Sequence, residues 1–198
     1  MRFEMKRGTA ILILTFSLIL AACAASTTSA ENSLEGLPRD YSLEDAKADN
    51  CVTFEDGDIT SGQPVWDEFV KTAEEGKSAS VRLAFYYTLG DPSEYSAEYY
   101  EEAKDDYPAL YILDLLYDGE KYVLESMENG RLISQEYKYL VEYEGKPSSP
   151  YATFSWYTYY VLVDDDSVTW EYIEKATLSS DSKDWIAHHV VYSDLVFK

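Results

Sequence analysis

The chain has 198 residues with 37 acidic against 16 basic side chains, a formal charge of −21 and an isoelectric point near 4.2. A surface of that sign repels phosphate backbones and anionic headgroups, which argues against nucleic acid as a partner and leaves no electrostatic route onto an acidic membrane. The length favours one domain with enough apolar side chains, 46 % of the residues, for a sizeable core.

At the N-terminus, Arg2, Lys6 and Arg7 precede an apolar run from Ala10 to Leu20 and then small residues. That is the order of a secretory signal, and the run is shorter than the roughly 20 residues a spanning helix needs. The tetrapeptide Leu20-Ala21-Ala22-Cys23 follows directly. It resembles the lipobox of bacterial lipoproteins. The resemblance implies that residues 1–22 are removed and that the Cys23 thiol carries a diacylglycerol, whose two acyl chains suffice for stable anchoring where one is marginal. The expected place is the extracytoplasmic side of a membrane, at the cell surface or facing the periplasm. With Cys23 so used, Cys51 has no partner in the chain and is expected to be a small buried hydrophobe rather than a reactive thiol.

Residues 23–40 are rich in Ser, Thr and Ala and read as a flexible tether, with one globular domain over 41–198. Ser42, with Asp45 three residues on, caps a short helix, and a brief strand at Cys51 to Phe54 breaks at Glu55–Asp58. Pro64 opens a second helix in which Val65, Trp66, Phe69, Val70 and Ala73 recur at helical spacing until Gly76. Val81, Leu83, Phe85 and Tyr87 then alternate with Ser80, Arg82, Ala84 and Tyr86 as a half-buried strand does. A short acidic, Tyr-bearing helix is expected from Tyr95 to the residue before Pro108.

Four apolar runs follow, separated by Asp118-Gly119, Asn129-Gly130 and the stretch EGKPSSP, and Asp-Gly and Asn-Gly between such runs signal hairpins. Residues 168–178 fit a helix capped by Thr169, with Trp170 and Ile173 on one face, and a last strand runs to the C-terminal region. The expected fold is α+β: a twisted antiparallel β-sheet, laid out as a meander, with two or three helices packed on one face. In the order of SLEDA, the helix around WDEFV, VRLAFYYTLGDP and LLYDGEKYVL, the chain from Ser42 to Met127 resembles a domain family of unknown function found in bacterial lipoproteins. Against that family the segment between Ser93 and Ala109 looks like an insertion, and the resemblance implies no catalytic residues.

Chemistry-bearing patterns are sparse. His188 and His189, the only histidines, are adjacent, so on a strand they point to opposite faces, and a structural role is expected for them. Asp164–Asp166 and Glu55–Asp58 lack the spacing of a calcium loop and read as solvated turns, so no metal site is assigned. There is no nucleophile motif and no Gly-rich phosphate loop, so no catalytic residue and no cofactor is assigned. The 19 tyrosines are the unusual feature. Along the strand from Tyr151, the side chains of Tyr151, Tyr157 and Tyr159 share a face that is either covered by helices or open as an aromatic contact surface. The expected function is a lipid-anchored extracytoplasmic binding module with a protein or carbohydrate partner. The alternatives are an envelope-polymer hydrolase using an acidic pair, or an inhibitor or accessory subunit of a secreted protein.

Overall fold

The structure is a computed structural model, and it describes residues 33–179, 181, 183 and 185–198. Cys23, the expected lipid site, lies outside the described residues.

The fold is α+β. Ser42 and Asp45 form a reciprocal capping box that starts α1 (Leu43–Ala48), satisfying donors at the helix entry. The chain then forms β1 (Val52–Glu55) and β2 (Asp58–Ser61), a hairpin turned at Asp56 and Gly57, both at positive φ. The Glu55–Asp58 turn therefore joins two strands. Asp56 is tied down as well, its carboxylate accepting from the Thr88 amide and hydroxyl at 2.7 Å each.

Gly62 leads into α2 (Gln63–Glu74), and its left-handed φ of 83° is not its only constraint. A Cβ at this position would lie 2.5 Å from the Cys51 carbonyl oxygen. From α2 the chain enters β3 (Ala79–Tyr87), which pairs parallel with β1 and antiparallel with β4 (Ala109–Tyr117). Between them stands α3 (Ala97–Ala103), which has no buried residue. Two hairpins then add β5 (Tyr122–Glu128) and β6 (Arg131–Tyr137). The second turns on Asn129 and Gly130, both at positive φ as a type I′ turn requires.

The run from Arg131 to Tyr143 is two strands. After the single residue Lys138 the chain continues as β7 (Tyr139–Gly145), which pairs with β8 (Phe154–Val163) in a second sheet completed by β9 (His188–Phe197). The meander is thus divided, six strands in the order β2-β1-β3-β4-β5-β6 and three in the order β7-β8-β9. The expected helix at 168–178 is α4 (Trp170–Leu178), with the Thr169 hydroxyl accepting from the Tyr172 amide.

The helices divide among the faces according to their apolar stripes. Trp66, Phe69 and Ala73 of α2 pack with Val52, Phe54, Val81, Leu83, Leu115 and Leu124 of the large sheet and with Leu162, Val191 and Tyr192 of the small one. Ala46 of α1 packs on the opposite face of the large sheet with Cys51 and Ala84, and Cys51 is buried as expected. Ile173 of α4 covers Val161 and Val163 on the far side of the small sheet.

Trp66 joins the two sheets. Its ring stacks on Tyr192 at 4.8 Å and meets Tyr160 edge-on at 5.2 Å, while Tyr192 also meets Phe54 of β1. Trp66→Ala is expected to cost about 3–5 kcal/mol in urea unfolding, by loss of both burial and ring contacts. Gly62→Ala is expected to cost more than about 1 kcal/mol in the same assay, since φ and the Cys51 carbonyl both oppose a Cβ.

Candidate functional site

The β4–β5 ladder stops early. It holds from Tyr117↔Tyr122 to Leu113↔Ser126, and beyond that point β4 remains paired with β3 as far as Ala109, and β5 with β6 as far as Glu128. β4, held by β3, and β5, held by β6, part there, leaving a slot of about 550 Å³. One wall is Leu110, Tyr111, Ile112 and Leu113 of β4; the other is Ser126, Met127 and Glu128 of β5. Leu34, Leu37, Pro38 and Tyr41 close one side, and His189 of β9 reaches in from the other.

Local sequence explains each wall. β4 enters directly from Pro108 with an apolar run from Ala109 to Leu113, so both faces of this part can be covered. The segment before α1 forms a single helical turn at Leu34–Gly36, started by Ser33, and buries Leu34 against the sheet. Part of the expected tether, residues 33–40, thus packs on the domain. Tyr41 anchors its end: the hydroxyl donates to Asp49 at 2.9 Å and lies 3.7 Å from the Cys51 sulfur. Burial, reinforced by those two neighbours, pushes the Tyr41 hydroxyl well above the usual phenol range, and burial likewise raises the Cys51 thiol. Both stay protonated near neutral pH.

Beside this segment Arg82 donates to both oxygens of Asp114, at 2.7 and 2.8 Å, across β3 and β4. Asp114 also pairs in register with Glu125 of β5, whose carboxyl is raised by burial and by the nearby Asp114 and Glu35. The arrangement is a carboxylate pair with unlike environments. Both oxygens of Asp114 are engaged, however, and neither acid lines the slot.

A second hollow of about 500 Å³ is lined by Gln135, Glu136, Tyr137, Asp164, Trp185, Ala187, His188 and His189. The two histidines thus border one space, contrary to the strict alternation expected of a regular strand. They sit at the very start of β9, where the His188 Nδ1 is 2.9 Å from the Ile186 carbonyl and its ring lies against Trp185. Only His189 lines the slot as well.

The tyrosines singled out on β8 lie elsewhere. Tyr157 and Tyr159 stack on each other at 4.8 Å and pack against Trp170 of α4, with Tyr157 buried and Tyr159 half-buried. Of the two arrangements open to that face, coverage by a helix is the observed one at these positions. Tyr151 is 92 % exposed in the turn before β8. Among the described residues no group of three or more His, Cys, Asp and Glu side chains is placed to hold a metal ion. No protein-family model, no curated protein and no solved structure matches the chain.

Sequence reasoning did not find the slot, because it arises where β4 and β5 separate, and strand patterns do not encode a partner's departure. A partial signal was present in Leu34, Leu37 and Pro38, apolar residues inside an otherwise polar run. The pKa of His189 is lowered, first by burial and then by His188. An imidazole with a folded-state pKa below its ordinary 6.5 contributes stability above pH 6.5, and loses it as pH falls through 6.5 towards the lowered value, because the unfolded chain takes the proton first. The melting temperature is expected to fall between about pH 7.5 and pH 5, and less steeply in His189→Gln, as read by thermal unfolding across that range.

Proposed function

We propose that the protein is a lipid-anchored, extracytoplasmic binding module that takes an elongated, partly apolar ligand from a protein or carbohydrate partner into the slot between β4 and β5. The observation that carries this reading is the slot itself, a recess of ligand-binding size lined mainly by apolar side chains, with Ser126, Glu128 and His189 as its polar groups. An ordinary core closes such gaps; here Tyr111, a wall residue, is 59 % exposed.

The anchoring part rests on the lipobox-like Leu20-Ala21-Ala22-Cys23 behind a signal-like run. Only ten residues, 24–33, separate Cys23 from Leu34, which borders the slot. At full extension that stretch spans about 40 Å, so anchoring at Cys23 keeps the slot near the bilayer. The charge of −21 supplies no attraction to anionic headgroups, which leaves attachment to the lipid.

Cys23→Ser is expected to move the protein from the membrane to the soluble fraction and to lower its mass by a diacylglycerol; retention in membranes with unchanged mass overturns the anchor. For the slot, the full-length protein in detergent is heated with cell-wall fragments, oligosaccharides or peptides. A ligand at about 100 times its Kd adds roughly 2.7 kcal/mol, a shift of about 5–10 °C. Tyr111→Ala is expected to abolish the shift while moving the unliganded melting temperature by no more than about 2 °C. A shift that survives Tyr111→Ala places the site outside the slot.

A further inference from the structure

The slot is bounded by two strand edges. Leu113↔Ser126 is the last β4–β5 pair, so from Ala109 to Ile112 on one wall, and at Met127 and Glu128 on the other, no described strand pairs with the side that faces the gap. Every second residue of an extended strand directs its N–H and C=O towards such an edge. Tyr111, Met127 and Glu128 are exposed, so these unladdered edges are open to an incoming backbone. An extended peptide supplies what both walls lack, a run of donors and acceptors at strand spacing and side chains that alternate between the two faces. Because β4 and β5 are antiparallel, an inserted strand runs antiparallel to one wall and parallel to the other.

Charge and aromatic surface narrow the occupant. The segment that feeds into β4, from Asp91 to Pro108, carries seven carboxylates against Lys104, and Lys104 is already bonded to Glu101. It also carries Tyr95, stacked on Tyr99 at 5.4 Å, although its helix α3 buries nothing. Tyr87 and Tyr111, at the strand ends beside it, meet edge-on at 6.1 Å and are both exposed. Core packing does not account for these rings. Carboxylates interleaved with open tyrosine faces suit ammonium and guanidinium groups, and Glu128 adds an acid on the opposite wall.

We infer that the slot binds an extended cationic peptide segment by strand addition between β4 and β5, its apolar residues seated in the slot and its Lys or Arg residues over the Asp91–Pro108 segment. The inference rests on the reading of the slot as the binding site, and it goes further by specifying a backbone-mediated mode and a basic partner.

The test titrates the full-length protein in detergent with the blocked peptide Lys-Val-Lys-Val-Lys-Val by calorimetry. Saturable binding is expected that weakens as ionic strength rises, is lost when Glu replaces Lys in the peptide, and is lost in Tyr111→Ala. N-methylation of alternate peptide amides leaves the side chains in place and removes pairing donors; it is expected to weaken binding about tenfold or more. Equal affinity for the N-methylated peptide, with Tyr111→Ala still inactive, overturns strand addition but leaves the slot as the site. Failure of the Lys-Val peptide to bind, while another ligand still shifts the melting temperature in a Tyr111-dependent way, overturns the basic-peptide partner alone. Binding that persists in Tyr111→Ala overturns the placement. Binding that appears only after deletion of residues 24–32 assigns the slot to the chain's own segment, and concentration-dependent dimers competed by the peptide assign it to a second copy; either overturns the inference.

Discussion

The contact on which the architecture depends is the insertion of Trp66 between two sheets that share no ladder. Sheets β2-β1-β3-β4-β5-β6 and β7-β8-β9 are joined covalently through Lys138 and on the inside by one helix face. Trp66 stacks on Tyr192 and abuts Tyr160, Phe69 follows it one turn on, and Phe54 completes the aromatic group from β1. Dispersion among closely placed rings is large only when the geometry is held, and here α2 holds it. The helix is in turn fixed by Gly62, whose missing side chain lets the chain pass against Cys51. The Tyr192 hydroxyl, donating to the Gln63 side chain at 2.8 Å, ties β9 to the first residue of the helix. A short length of chain, 51–66, thus sets how the two sheets meet.

That arrangement fixes the position of β9, and β9 completes the slot. With Val191 and Tyr192 drawn into the core beside α2, the start of the same strand carries His189 to the place where β4 and β5 separate. The core and the recess are therefore consequences of one strand's path. The opposite side of the recess depends on local hydrogen bonds. Ser33 starts the turn that buries Leu34, and the Tyr41 hydroxyl is bound between Asp49 and Cys51.

Most of the elements could be read from the sequence, for reasons particular to each. The capping box at Ser42 and Asp45, the Thr169 cap and the Asn129-Gly130 turn are local chemistry, and each formed as local chemistry predicts. The β1–β2 hairpin was less visible, because a four-residue strand of mixed polarity such as β2 carries little pattern. The break at Lys138 was hard to see, since a one-residue join carries no Gly, Pro or Asn turn signal; its only trace is that Tyr137 and Leu140, three apart, both face the shared core. The side chains of β8 pointed to aromatic pairing but not to what would cover it, and α4 brings Trp170 onto Tyr157 and Tyr159. The slot was the least legible feature, because it is defined by pairs that do not form.

Why the pairs do not form follows from twist and competition. β4 makes nine pairs with β3, and β5 makes seven with β6, while β4 and β5 share five. Each strand pair, β3–β4 and β5–β6, twists in its own right, and the type I′ turn at Asn129-Gly130 favours a strongly twisted ribbon. Where the two twists diverge, the shorter ladder yields first. The segment from Leu34 to Tyr41 then lies along the opening and packs Leu34 into the sheet, so the outer face is covered without the edges being paired. The apolar side chains are thereby partly covered, while the strand edges at 109–112 and 127–128 keep no ladder partner among the described residues. An ordinary packing defect leaves apolar surface uncovered with its ladders complete; the strand addition we infer draws instead on edges whose ladder is incomplete.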